Sequence, residues 1–184
     1  MKRLFDVALS LLVLVMLSPL LLATAIAVAV DSGFPVLFRQ PRVGLQGRTF
    51  GILKFRSMVT DASVVGPYFT SVSDARITRV GRMIRRTSLD ELPQLFNVLV
   101  GDMSLVGPRP DVPVQRGLYS EADWKLRCSV RPGITGLAQA LYRSESTAGE
   151  RLEADLRYVR EASLWLDLKI LWWTLRRLGG QGSN

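Results

Sequence analysis

The chain has no histidine and only one cysteine, Cys128. Without histidine, Ser-His-Asp hydrolysis, imidazole metal ligands and imidazole acid–base catalysis are excluded. One cysteine closes no intramolecular disulfide and builds no cysteine-rich metal site. Proton transfer is left to carboxylates, Lys, Tyr, Cys or water. Acid is scarce beside base: 16 Asp and Glu against 24 Lys and Arg, a formal charge of +8. That excess calls for an anionic partner, whether nucleic acid, a lipid surface or a phosphorylated substrate. Two familiar phosphate and metal signatures are missing, the Gly-x-x-x-x-Gly-Lys-Ser/Thr loop and the Asp-x-Asp pair. Few aromatics interrupt the basic runs, so no nucleic acid is expected as the partner. At 184 residues the chain has the length for one domain with its own core.

What is present begins with a long apolar run. Between residues 7 and 30 the only polar side chains are Ser10, Ser18 and Thr24. At about 1.5 Å per residue, such a helix could span a hydrocarbon core of about 30 Å. The run is long for a signal peptide. Ser18-Pro19 interrupts it. Pro19 removes the donor that would meet the Val15 carbonyl, and Ser18 can bond back to the Leu14 carbonyl. Lys2 and Arg3 precede the run, and Arg39, Arg42 and Arg48 follow it. The positive-inside tendency draws both flanks to the cytoplasmic face. A kinked single span and a re-entrant helix that turns back at Ser18-Pro19 both fit these residues.

Residues 36–39 and 48–56 read as two short strands around a turn at Gly44 and Gly47. Lys54 and Arg56 then share one strand face. Residues 60–75 read as a loop or short helix. Residues 77–86 set apolar Val80, Met83 and Ile84 among arginines, a basic amphipathic helix suited to phosphates or anionic headgroups. From residue 87 to 110 the signals are densest. Leu89, Leu92, Leu95, Phe96 and Leu99 recur at helical spacing. Ser88 and Glu91 have capping-box spacing, Pro93 suits an early helical position, and Gly101 suits a stop. Asp90 and Glu91 thus fall at a helix start, between five arginines at 76–86 and an Arg109 flanked by prolines. Such acids are either ion-paired scaffolding or a phosphate site with a metal, its oxygens gripped by arginine. Residues 103–106 read as extended, 111–127 as helical after Pro113, and 131–136 as a turn-rich loop whose glycines allow close approach to a ligand. Residues 150–178 form the last helical pattern, one helix or two. There Leu164, Trp165, Leu168, Leu171, Trp172, Leu175 and Leu178 make an apolar stripe suited to a membrane–water interface.

The run SLDELPQLFNVLVGDMSLVGPRP at 88–110 resembles the signature of the bacterial sugar transferases called monotopic phosphoglycosyl transferases. The similarity extends to Lys54-Phe55-Arg56-Ser57-Met58, to Arg76-Ile77-Thr78-Arg79-Val80-Gly81-Arg82, to residues 131–139 and to residues 163–171. The chain is most similar to the small form, little more than the catalytic domain; larger relatives place membrane helices before it. The resemblance implies an α/β fold: one mostly helical domain with a small sheet and interfacial amphipathic helices. It implies a re-entrant membrane helix at 1–32, broken at Ser18 and Pro19, and a catalytic domain at 33–184 on the cytoplasmic face of the bacterial inner membrane. The implied reaction moves a sugar 1-phosphate from a UDP-sugar to a polyprenol (undecaprenyl) phosphate, releasing UMP, with Mg2+ as cofactor. Carried over residue by residue, Asp90 is the nucleophile and a metal-site residue. Glu91 is its partner, as metal-site support or as a base toward the lipid phosphate. Arg85 and Arg109 match positions near the phosphates, and Lys54, Arg56 and Arg131 are further substrate-binding candidates. No code for the sugar, the glycan or the oligomeric state is visible. The alternatives are a non-catalytic basic adaptor at a membrane surface and a membrane-tethered nucleic-acid binder.

Basic charge on both flanks and the Ser18-Pro19 break predict that both ends of the run face the cytoplasm. Cysteines introduced near residues 2 and 40 should label only from that side; labelling of either from outside would mean a true span. Pro19→Leu with Ser18→Ala should push the run toward spanning.

Overall fold

The computed structural model describes residues 1–60, 74–142 and 147–179. The apolar run forms two helices, α1 (Lys2–Met16) and α2 (Ser18–Ser32), bent by 65° at Leu17. Pro19 lies in the first turn of α2, where a missing N–H is tolerated. The Ser18 hydroxyl donates to the Val15 carbonyl at 2.8 Å, not to that of Leu14. The difference has a simple cause: Val15 is the carbonyl that proline orphans, and the hydroxyl supplies the missing donor. Among the described residues no single helix is long and apolar enough to cross a membrane; only this bent pair, taken together, has the length and composition.

Polar bonds lock α1 to the remainder. Asp6 is buried, and its carboxylate accepts from the Ser104 hydroxyl at 2.8 Å and the Leu105 amide at 3.3 Å. Lys2 Nζ donates to Asp167 at 2.6 Å and to the Val106 carbonyl at 3.2 Å. Arg3 donates to the Val98 and Leu99 carbonyls at 2.5 and 3.0 Å. The two N-terminal cations therefore also serve as docking groups.

Strands β1 (Leu37–Val43) and β2 (Thr49–Phe55) pair antiparallel, from Leu37 opposite Phe55 to Val43 opposite Thr49. Helix α3 (Arg79–Arg86) starts at Thr78, whose hydroxyl accepts from the Gly81 amide at 2.9 Å. The next segment departs from the expected capping box. Ser88 is left-handed (φ 58°) and caps nothing; its amide donates to the Arg85 carbonyl at 3.2 Å. It therefore closes α3, as a left-handed residue after a helix does, and opens only the short turn that follows, its carbonyl accepting from the Glu91 amide at 3.2 Å. A 3-10 turn, Leu89–Glu91, follows, and α4 (Gln94–Val100) begins after Pro93 and ends at left-handed Gly101.

Residues 131–136, expected as a loop, contain strand β4 (Gly133–Thr135), which pairs parallel with β3 (Ser104–Val106). Between them lie a 3-10 segment, Pro113–Leu118, and α5 (Glu121–Arg127). The chain continues with α6 (Leu137–Tyr142), α7 (Ala148–Glu161) and α8 (Leu164–Gly179), so the final helical pattern divides in two. Mostly helix with two small sheets, this is the α/β class that was expected. Most of the expected 60–75 loop lies outside the described residues.

The core gathers Leu95, Val98, Met103, Leu105, Tyr158 and Ile170. Within it, the Tyr158 hydroxyl lies 2.8 Å from Asp167 and 3.0 Å from the Val106 carbonyl. Asp167 is 1% exposed, so each donor to it counts. Tyr158→Phe should cost about 1–3 kcal/mol by depriving a buried carboxylate of a donor. Thermal unfolding in detergent should show the drop; an unchanged midpoint would mean that water or Lys2 replaces the hydroxyl.

Candidate active site

The site grows from three short pieces of chain. The first is the 3-10 turn after Ser88. It sets Asp90 inward, 9% exposed, and leaves its neighbour Glu91 half-buried. A non-glycine residue at positive φ is uncommon and carries a conformational cost. Here it lets the chain leave α3 and present two adjacent carboxylates before α4 starts.

The second piece is β2, which carries Lys54. Its Nζ donates to Glu91 Oε1 at 2.6 Å. Asn97 of α4 holds the strand in place. Its Oδ1 accepts from the Leu53 amide at 2.9 Å, and its Nδ2 donates to the Gly51 carbonyl at 2.9 Å. A side-chain amide thus binds the strand's free edge as another strand would, fixing Lys54 relative to the acids.

The third piece is the Gly107-Pro108-Arg109-Pro110 turn. Arg109 Nη2 donates to the same Glu91 oxygen at 2.6 Å. The turn lies flush on β4 because both facing residues are glycine. A Cβ on Gly107 would stand 2.4 Å from the Arg131 carbonyl oxygen, and one on Gly133 would stand 2.1 Å from the Gly107 nitrogen. Backbone atoms cannot yield to that overlap.

These contacts separate the two acids. Burial pushes Asp90 up to about 6, the Glu91 charge adds to this, and Lys54 and Arg85 only partly offset it. Burial alone would raise Glu91 too, but Arg109 and Lys54 outweigh it and hold the group at about 2. Glu91 in turn holds the Arg109 guanidinium above its ordinary value. One carboxylate is a permanent anion clamped by two cations. The other is poorly solvated and titrates close to neutrality.

The structure thus brings together Lys54, Asp90, Glu91 and Arg109. Arg85, half-buried, acts on Asp90 through its charge. Arg56 and Arg131 are engaged elsewhere. Arg56 lies just past β2 and is buried; its Nη2 donates to the Ser32 carbonyl at 2.5 Å and to the Gly33 carbonyl, capping the C-terminus of α2. Arg131 Nε donates to the Gly101 carbonyl at 2.9 Å, beside the Arg3 contacts at the end of α4. Asn97 was not anticipated, although an amide in an apolar helix is a readable sign of a buried polar bond.

A divalent cation has a limited donor set here. No group of three acidic, histidine or cysteine side chains converges among the described residues. Asp90 beside Glu91 still suits Mg2+ in its usual mode, with one carboxylate supplemented by water and substrate phosphate oxygens.

A model of the bacterial sugar transferases matches residues 1–180. An undecaprenyl-phosphate glucose phosphotransferase of Komagataeibacter xylinus is 50% identical over 96% of this chain and 35% of its own length. A UDP-glucose:undecaprenyl-phosphate glucose-1-phosphate transferase of Klebsiella pneumoniae is 46% identical over 95% and 39%. A UDP-N-acetylgalactosamine-undecaprenyl-phosphate N-acetylgalactosaminephosphotransferase of Aeromonas hydrophila is 42% identical over 96% and 43%. The chain therefore spans about two-fifths of the length of these curated relatives.

Proposed function

The chain belongs to the bacterial sugar transferase family, and from that premise we propose that it transfers a sugar 1-phosphate from a UDP-sugar to a polyprenol phosphate and releases UMP. The observation that carries this reading is the division between the adjacent carboxylates, one clamped as an anion and one desolvated. The relatives' names specify glucose in two cases and N-acetylgalactosamine in a third, so the donor class is a UDP-sugar.

Asp90 is the nucleophile. Its carboxylate oxygen attacks the phosphorus that bears the sugar, and the bond from that phosphorus to the bridging oxygen breaks as UMP leaves. An oxygen of the polyprenol phosphate then attacks the same phosphorus and frees Asp90. Splitting the transfer in two lets each substrate react in turn at one carboxylate. Desolvation favours the attack, because little hydration must be stripped from the ionised oxygen.

Glu91 orders the cations. Held at about 2, it is a poor proton acceptor at neutral pH. Its oxygen fixes Lys54 and Arg109 at the mouth of the site, where their remaining N–H groups can meet the diphosphate. The Arg109 side chain is 51% exposed and offers the edge of its guanidinium not turned to Glu91. Asp90 and donor phosphate oxygens would hold Mg2+, which would neutralise charge as the diphosphate is cleaved.

A lipid acceptor needs a lipid surface. Exposed Leu11, Leu12, Val15 and Met16 on α1, and Trp165, Trp172 and Leu175 on α8, support seating in one leaflet. We assign the bent α1–α2 pair to a re-entrant anchor on the cytoplasmic face.

The two-step scheme requires UMP to appear from UDP-sugar alone, in an amount limited by enzyme, with a matching adduct in the intact mass. Asp90→Asn should abolish both. Turnover with acceptor, together with an active Asp90→Asn and no adduct, would replace Asp90 as nucleophile.

The pH dependence has a definite sign. Asp90 is raised to about 6 and must be ionised to attack. The kcat/KM for the donor should therefore fall as pH drops through that value, by about tenfold per unit below it. A flat profile down to pH 4.5 would contradict the desolvated carboxylate.

A further inference from the structure

The Pro108–Pro110 turn has a peculiarity of chemistry. Both prolines lack an N–H, so the backbone on either side of Arg109 is held largely through its acceptors. All four successive carbonyls have donors. Pro108 accepts from the Gly133 amide at 3.0 Å, Arg109 from Arg127 Nη2 at 2.6 Å, Pro110 from Arg42 Nη1 at 3.1 Å, and Asp111 from the Val43 amide at 2.8 Å. Three separate elements, β1, α5 and β4, supply them. Only one of these donors falls on the carbonyl of Arg109 itself.

Arg127 ends α5 and is buried, its side chain 7% exposed. All three of its nitrogens are engaged. Nε donates to Asp155 Oδ2 of α7 at 2.9 Å and Nη1 to Asp111 at 2.5 Å, while Nη2 lies 2.9 Å from the same Asp155 oxygen and donates to the Arg109 carbonyl at 2.6 Å. The Tyr119 ring lies 5.5 Å from its guanidinium carbon and covers it. A planar fork locked at two carboxylates has one orientation, and Nη2, held beside Asp155, meets the backbone of the residue whose side chain reaches Glu91. A lysine would carry the charge but could not hold three acceptors in one plane.

We propose that Arg127 is a positioning residue for the transfer reaction: braced by Asp111 and Asp155, it fixes the Arg109 backbone so that the Arg109 guanidinium engages Glu91 and the donor diphosphate. The proposal rests on the reading of Asp90, Glu91 and Arg109 given above. Arg127 acts through Arg109 and touches no substrate.

A double-mutant cycle tests it. Wild type, Arg127→Lys, Arg109→Lys and the double variant are compared for UDP affinity by titration calorimetry. UMP release is followed with UDP-glucose or UDP-N-acetylgalactosamine plus undecaprenyl phosphate. Arg127→Lys should weaken UDP binding and lower kcat/KM by about tenfold or more, with a thermal midpoint that shows it folded. In the Arg109→Lys background the same change should have no further effect, because the group it positions is already altered. Asp111→Asn loosens the brace while leaving the Asp111 carbonyl on Val43, and should show the same coupling if Arg127→Lys does not fold. Losses that multiply across the cycle, or a folded Arg127→Lys with wild-type affinity and rate, would overturn the proposal alone. A wild type that releases no UMP from any of a wider panel of UDP-sugars would overturn the functional reading and this proposal with it.

Discussion

A single oxygen, Glu91 Oε1, receives hydrogen bonds from Lys54 and Arg109, each at 2.6 Å. The site depends on that contact. Adjacent carboxylates repel, and burial penalises both charges. Two cations on Glu91 settle which acid carries its charge at low cost, and Asp90 is left with a higher affinity for its proton. Chain geometry makes the contact possible. The left-handed turn at Ser88 presents the acids side by side, Asn97 fixes the strand that bears Lys54, and a proline-stiffened turn on β4 brings in Arg109.

The N-terminal helix pair joins this arrangement through charge as well as apolar packing. Asp6, Lys2 and Arg3 reach β3, α8 and α4; of these, β3 leads into the turn that bears Arg109 and α4 carries Asn97. Arg56 ties the far end of α2 to the residue following β2. Under the proposed reaction, these bonds would couple a lipid-seated helix pair to the site of a soluble donor without a linker.

Much of this was legible in the chain. The strands around Gly44, the arginine-rich helix, the stop at Gly101 and the break at Ser18-Pro19 follow from local propensity and missing donors, which are short-range physics. Asp90, Glu91 and Arg109 drew notice through unusual local company. What was not legible depends on long-range packing. Ser88 and Glu91 have capping-box spacing, but tertiary packing used Ser88 to end one helix and Glu91 to bind residues 37 and 18 positions away. Arg56 and Arg131 look like Lys54 and Arg109 in sequence, yet each donates to a carbonyl at a helix end and not to Glu91. Arg127 gave no sign at all. Its role comes from Asp155, 28 residues on, and the Arg109 carbonyl, 18 residues back. Arginine type is readable from a sequence; which acceptor an arginine reaches is decided by the fold.

The most direct test of the account is a pH titration of the Asp90 and Glu91 carboxyl carbons by NMR, assigned through Asp90→Asn and Glu91→Gln. The account predicts that Asp90 titrates near 6 and Glu91 near 2. Titration of both together near 4, as ordinary solvated carboxylates do, would contradict it.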